Sequence, residues 1–421
     1  MLVIHAARRA RRRRPSRIGL AVAGGGPIGG MYELGALRAL EQAVEGLDLR
    51  ALDVYVGISA GAFLAAGLAN RIGTAELCRI FVGGDAERTR FRPDDFLRPA
   101  YAEYLRRAAE LPRALFGWFG DVVRNPFAIN TSDALLRLGS LLPTGLFDNG
   151  AIRRFLAELF RAHGGSDDFR ALERRLYVIA TDLDSGEAVR FGAPGRDDVP
   201  ISLAIEASAA LPGLYPPVRI GGRYYVDGAL RHTLHASVAL DAGADLVLGV
   251  NPLVPIDTAR AQASGKRAPP TLLDGGLPAV LSQTFRALLQ SRAQAGASRY
   301  PQRYANADRV LFEPNADDVE MFFTNVFSFA SRRRVAEHAY RSTFADLHER
   351  RDELAPLFER HGLRLRDEVL DAPPRSLLDG LRRPAGRTRT TRRLDGVLDE
   401  LRDRLPPPRP PRRRKAPPPQ A

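Results

Sequence analysis

"DVYVGISAGAFLAAGLA", residues 53–69, joins a β-type run to an apolar helical run through Gly57-Ile58-Ser59-Ala60-Gly61. G-x-S-x-G between a strand and a helix describes a nucleophile elbow, in which a serine sits on a tight, strained turn with its Oγ exposed. Glycines on either side are required there, because bulkier neighbours collide with the adjoining strand and helix. The same letters also fit a small-residue turn in which Ser59 merely caps the helix. The strand–turn–helix context favours the nucleophile.

Upstream, "IGLAVAGGGPIGGMYELGALRAL", residues 18–40, runs from an apolar strand into a helix through three consecutive glycines. Gly24-Gly25-Gly26-Pro27-Ile28-Gly29 matches the dinucleotide fingerprint G-x-G-x-x-G, and Asp48 and Asp53 follow at about the spacing of a ribose-binding acid. A continuous glycine triplet also supplies successive unhindered N–H groups at a helix N-terminus, which suit a developing oxyanion. On this segment alone both readings stand.

A serine nucleophile needs a base. The histidines beyond Ser59 are His163, in a polar loop, His232 and His235, and the distal His338, His348 and His361. Only His232 and His235 follow a strand-end acid, in "YYVDGALRHTLHASVAL", and their spacing predicts positions on the helix that begins there. The acid is Asp227, which closes the run Arg223–Val226 and precedes Gly228. Asp-Gly is a frequent turn signal. It is also an arrangement in which a carboxylate activates a serine directly, since partial desolvation raises its proton affinity.

Of the 421 residues 45% are hydrophobic, enough for a substantial core, and no apolar run reaches the roughly 18 residues needed to cross a membrane. The single cysteine, Cys78, excludes an intrachain disulfide, reads as a small buried helix residue and fits a reducing, cytoplasmic setting. The net charge of +13 is carried by the ends: seven arginines between Arg8 and Arg17, and a strong Lys/Arg excess beyond residue 381. Such runs suit anionic lipid or nucleic acid, but solvated, disordered ends explain them more simply.

Alternating strand-like and helical patterns over residues 17–255 predict a mainly parallel sheet with helices on both faces. The predicted strands are Ile18–Ala23, Val54–Gly57, Leu176–Ala180 and Leu246–Val250. "TDLDSGE" predicts a hairpin into Ala188–Phe191, and "VRIGGRYYVDG" another with Gly221–Gly222 at its tip. Residues 1–16 read as a disordered basic arm, 256–275 as a linker, 276–370 as a helical extension packed on the catalytic domain, and 371–421 as a disordered Pro/Arg-rich tail. "LPRALFGWFGDVVRNPFAIN", residues 111–130, carries Leu111, Leu115, Phe116, Trp118 and Phe119 between Arg113 and Arg124; it reads either as a lipid-docking lid or as an amphipathic helix on the sheet. "MFFTNVFSF", residues 321–329, reads as core.

"GGGPIGG", "GISAG" and "VDGA", in this order, resemble the bacterial patatin-like phospholipases. "TGLFDNGAIRRFL", "YVIATDLDSGEAVRF", "AIEASAALPGLYPPVRIGGRYYVDGAL" and "ALDAGADLVLGVNP" extend the similarity over about residues 17–255. The resemblance implies a three-layer α/β/α fold and a lipase- or phospholipase A-like acyl hydrolase that cleaves fatty-acyl esters of glycerolipids through an acyl-enzyme. It makes Ser59 the nucleophile and Asp227 the base. Oxyanion donors fall among the N–H groups of Gly24, Gly25 and Gly26; Pro27 has none to give. Gly29, Gly57, Gly61, Gly228 and Ala229 complete the motifs. Ile28 departs from the pattern, since many relatives carry Arg or Lys there. No cofactor or metal is implied. The expected partner is a lipid or acyl-ester substrate, with peripheral contact at an anionic membrane surface and no nucleic acid. Two other classes compete: a nucleotide-binding protein using the glycine turn, and a non-catalytic scaffold on a degenerate hydrolase body.

Overall fold

In the computed structural model of the chain, nine strands among the described residues form one sheet, ordered β1-β9-β8-β2-β3-β4-β7-β6, with β5 pairing along β4. The strands are β1 (Leu2–His5), β2 (Ile18–Val22), β3 (Val54–Ile58), β4 (Arg175–Asp182), β5 (Ala188–Phe191), β6 (Val218–Ile220), β7 (Arg223–Asp227), β8 (Leu246–Val250) and β9 (Asp308–Phe312). The middle five, β9-β8-β2-β3-β4, run parallel; β1, β5, β7 and β6 are antiparallel to their neighbours. The structure describes residues 2–7, 15–83, 91–101, 103–105, 109, 143–266, 271–297, 300–324, 329–373, 375–379 and 381. Residues Met1–Leu377 form one compact unit. Of a second, Leu378–Ala421, only residues 378, 379 and 381 are described.

Alternation along β3 sets the layers, because successive side chains of a strand face opposite sides. Val54, Val56 and Ile58 share a buried cluster with Ala236 and Ala239 of helix α5 (Ala236–Asp241). Gly57 faces the other way, where a Cβ would lie 2.5 Å from Ala62 Cα and 2.9 Å from Ala65 Cβ of helix α2 (Ala60–Ala69). Helices thus cover both faces, a three-layer α/β/α arrangement. The central strands carry no charged side chain over Val54–Ile58 or Leu246–Val250 and are buried throughout, as parallel strands covered twice must be. Helix α1 (Gly26–Ala43) rises from the glycine turn, and α3 (Gly150–Ala162) and α4 (Ile201–Ser208) lie further along the chain.

Several expectations differ from the structure. The arm over 1–16 is not free throughout: Leu2–His5 pairs with Phe312–Arg309 at the sheet edge. The arginine run 8–14 lies outside the described residues, as do the 111–130 segment and most of the Pro/Arg-rich tail. The segment beyond 276 is not purely helical, since Asp308–Phe312 enters the sheet as β9 beside β8, and the linker contains a helix at Thr258–Ala263. His232 and His235 precede α5 rather than riding on it. Both strand differences have one cause. β1 and β9 are short, and their partners are distant in sequence, so no local period or turn signal announces the pairing. Cys78 is buried at the end of a short helix, Thr74–Cys78. In "MFFTNVFSF", Met321 is buried while Phe323 is 38% exposed.

Helix α7 (Phe329–Glu349) crosses α1 so closely that a Cβ on Gly35 would come within 2.2 Å of the Ala336 carbonyl oxygen. On the same helix α1, Glu33 is fully buried, and neither carboxylate oxygen has a hydrogen-bond partner among the described residues. Burial alone holds its pKa well above 4.5, so the folded chain keeps this proton where the unfolded chain loses it. Its contribution to stability is therefore complete below pH ~4.5 and declines as pH rises, by up to about 1.4 kcal/mol per pH unit. Glu33→Gln removes the titration. Urea unfolding of the two proteins should coincide near pH ~4 and separate in favour of the variant by pH ~8; parallel pH curves would show that Glu33 is solvated.

Candidate active site

The site is built on one edge of β4. Ile179 pairs with Ile58 of β3 and with Arg190 of β5. The next residue, Ala180, pairs with Asp227 of β7 and with Val189 of β5. Because β5 occupies one edge of β4 at both positions, β3 and β7 share the other edge and meet there end to end. Neighbouring strand positions are about 3.3 Å apart. Ile58 and Asp227, from distant parts of the chain, thus arrive at adjacent places, and β3 must turn away at Ser59.

The turn is sharp. Ser59 has φ 51° and ψ −125°, and only Arg71 shares a positive φ among the described non-glycine residues. Such a conformation is strained for a residue with a Cβ. It is held because α2 starts directly against the end of β2: Gly61 donates its N–H to the Ala23 carbonyl at 3.1 Å, and a Cβ on Gly61 would lie 2.2 Å from that oxygen. Ser59 immediately precedes α2, yet its side chain makes no capping bond. The hydroxyl lies near the Asp227 carboxylate instead, close enough to draw the carboxyl pKa down.

Asp227 is 3% exposed. One carboxylate oxygen accepts the Ala229 N–H at 2.8 Å, which closes the Asp-Gly turn, and Thr181 donates its hydroxyl to the Asp227 backbone carbonyl at 3.1 Å. Burial pushes its pKa up to about 6, although the Ala229 N–H and the nearby Ser59 hydroxyl pull it down. The Asp-Gly turn and a carboxylate of raised proton affinity thus occur together in one residue.

The glycine turn is the third wall. A Cβ on Gly24 would sit 3.0 Å from Ser59 Cβ and 3.2 Å from Ala229 Cβ, so only a glycine brings this backbone against both. α1 begins at Gly26, with Gly25 at its N-cap and Pro27 in the first turn. Among the described residues no backbone carbonyl takes the N–H of Gly24 or Gly25. From behind, the Pro252 ring packs against Gly25 and Gly29. Ile28 is 3% exposed, a core side chain where a cation would need solvent.

The acids of the dinucleotide reading lie elsewhere. Asp53 accepts the Ile18 N–H at 2.8 Å and donates its own N–H to the Ile18 carbonyl at 2.9 Å, which puts it at the start of β2 and β3. The glycine turn follows the other end of β2, about 16 Å away for a five-residue strand. Asp48 binds Arg50 at the surface. His232 and His235 stack edge to face at 5.4 Å, and neither bonds Ser59 or Asp227. Among the described residues no group of three or more His, Cys, Asp or Glu side chains could hold a metal ion.

One contributor carries no sequence signal. Ser208, at the end of α4 and fully buried, accepts the Ser59 N–H at 2.8 Å and donates to the Ile179 carbonyl at 2.5 Å. Its hydroxyl bridges β3 and β4 where their ladder stops. In "IEASAALPG" it is one small residue among several, and only the fold brings it to the elbow.

Solved structures resemble the chain at low identity. VipD from Legionella pneumophila is 18% identical, with 60% of this chain and 53% of VipD covered at a TM-score of 0.31. The type III effector ExoU is 17% identical, covering 92% and 75% at 0.31, and human GIVD cytosolic phospholipase A2 is 13% identical, covering 82% and 59% at 0.31. The chain thus spans just over half the length of VipD. The sequence itself matches the Patatin-like phospholipase family over residues 20–240, more than half of the chain, from β2 through the serine turn and Asp227 into α5. The chain belongs to the patatin-like phospholipase family.

Proposed function

We propose that the chain is a serine acyl hydrolase acting on fatty-acyl esters of glycerolipids through a Ser59–Asp227 dyad. The observation that carries this reading is a strained, buried serine whose hydroxyl lies beside a buried carboxylate, with bare glycine backbone against Ser59 and Ala229. Asp227 accepts the Ser59 proton as Oγ attacks the ester carbonyl carbon. The carbonyl oxygen becomes an oxyanion beside the Gly24–Gly26 turn, where N–H groups and the α1 N-terminus stabilise it. The intermediate expels the alcohol, which takes the proton from Asp227 and leaves an acyl-serine. Water, deprotonated by Asp227, releases the fatty acid. A carboxylate suffices as base because burial has already raised its proton affinity.

Asp227 must be ionised to act, so kcat/KM should rise through pH ~6, the value to which burial lifts it, and level off above neutrality. Asp227→Asn should lower turnover of a short p-nitrophenyl ester by about 100- to 10,000-fold. A fluorophosphonate probe should label the wild type and spare Ser59→Ala; equal labelling of the two removes the assignment. A scaffold without catalysis would show neither labelling nor turnover.

Ser208 acts through Ser59, as a positioning residue. Ser208→Ala leaves the Ser59 N–H and the Ile179 carbonyl without their bridge, which destabilises the fold by about 1–3 kcal/mol. If the bridge also holds the elbow, kcat falls at least about tenfold with KM nearly unchanged. Unchanged kcat in a folded variant would reduce Ser208 to a packing residue.

Contact with a lipid surface falls to Leu277, Leu281 and Leu288, exposed along one face of α6 (Gly276–Ala297), with Leu273 just ahead of it. Among the described residues no helix is long and apolar enough to cross a membrane, so contact with a bilayer would be peripheral. Leu277→Asp with Leu281→Asp should lower sedimentation with vesicles of anionic phospholipid several-fold and leave hydrolysis of a soluble ester intact. Undiminished sedimentation would remove this face from the proposal.

A further inference from the structure

A cavity of about 420 Å³ lies on the α5 face of the sheet, over the β1–β9 edge. Its walls are His5 of β1, Arg309 of β9, the segment around His235 ahead of α5, the end of α6 at Gln290 and Arg292, and Tyr300. Ser59, Asp227 and the glycine turn take no part in it. The cavity is therefore separate from the dyad, and a ligand held in it is independent of the hydrolase reading.

Four of the lining residues each carry a polar atom buried without a hydrogen-bond partner among the described residues: His5 Nε2, His235 Nε2, Arg309 Nε and Gln290 Oε1. His235 and Arg309 are each only 7% exposed. Folds seldom leave such groups unpaired, and here four belong to residues that line one space of ligand size. They are also arranged. His5 and Arg309 are direct cross-strand partners, and Arg309 is fixed with its guanidinium 4.4 Å over the Tyr300 ring. Arg292 and Arg303 add positive charge, although Arg303 is paired with Asp241. The one acid of the lining, Glu313, is tied to the Asn251 amide at 2.7 Å. Burial lowers the pKa of both imidazoles, with that of His235 near 3, so each can present an N–H as a neutral donor.

We propose that this cavity binds a small organic oxyanion that also carries a hydroxyl. Arg309 and the imidazoles of His5 and His235 hold the anionic group, and Gln290 Oε1 accepts the hydroxyl. A phosphate monoester and a hydroxycarboxylate share this chemistry, and a cavity of this size leaves room for a carbon skeleton beyond the anionic head.

Calorimetric titration of the full chain with inorganic phosphate, glycerol phosphate and malate tests it. The arginine-rich ends bind anions equally in all variants, so the difference between proteins isolates the cavity. Glycerol phosphate or malate should bind at one saturable site, and whichever binds more tightly names the class of head group. Arg309→Met should weaken that site about tenfold or more, the loss expected for one charge-assisted hydrogen bond. Gln290→Leu, at a half-buried helical position, should weaken the hydroxyl-bearing ligand and leave inorganic phosphate unaffected. Ser59→Ala should bind as the wild type does. Absence of saturable binding by all three probes would mean that the cavity holds water only, and equal binding by wild type and both cavity variants would place the anion elsewhere; either result overturns the proposal.

Discussion

The shared edge of β4 is the constraint on which the site depends. A strand edge offers one row of N–H and C=O groups, and here two strands use that row in succession, β3 as far as Ile179 and β7 from Ala180. Neither can advance without displacing the other. One must leave the sheet abruptly at Ser59, and the other ends with its carboxylate beside that departure. The closeness of hydroxyl and carboxylate is therefore a property of backbone pairing rather than of two side chains reaching across a gap. The Ile179 carbonyl sits at the junction: it accepts the Ser208 hydroxyl, and a Cβ on Gly228 would approach it to 2.2 Å.

Strain and desolvation are sustained by the same packing. A non-glycine residue at such dihedrals costs on the order of 1–3 kcal/mol, and an ionisable group buried beside it adds its own penalty. What compensates is the small-residue seam around the elbow, where Gly24, Gly57 and Gly61 let the backbone of β2, β3 and α2 close to contact. Ser59 gives α2 no side-chain cap, and its hydroxyl lies beside the Asp227 carboxylate instead. A local preference thus yields to a tertiary contact, as is common where a fold carries chemistry.

Much of this was legible in the residues. The central strands are short, largely apolar runs, and β2, β3, β4 and β8 lie within a few residues of where their pattern places them. The glycine turn, the serine turn and the Asp-Gly turn each carry a local physical demand that survives without context. What stayed hidden depends on partners far away. β1 and β9 pair across some three hundred residues of chain. Ser208 matters only because α4 ends beneath the elbow. The buried walls around Arg309 are contributed by segments that no periodicity links, and the two glycine-loop readings separated only when Asp53 proved to stand at the opposite end of β2.

The crossing at Gly35 has a consequence for the order in which the molecule is made. A nascent chain carries Ser59, the glycine turn and Asp227 well before its last third leaves the ribosome. The helix that rises from the glycine turn nevertheless beds its backbone into α7, and the sheet next to β8 is completed only by β9 and β1. Until residues 308–349 emerge, α1 has no seat on that side and β8 presents a bare edge. Ser59, the glycine turn and Asp227 are synthesised early, but their framework closes late, so an unfinished chain holds these residues without the rigidity that sets them against one another.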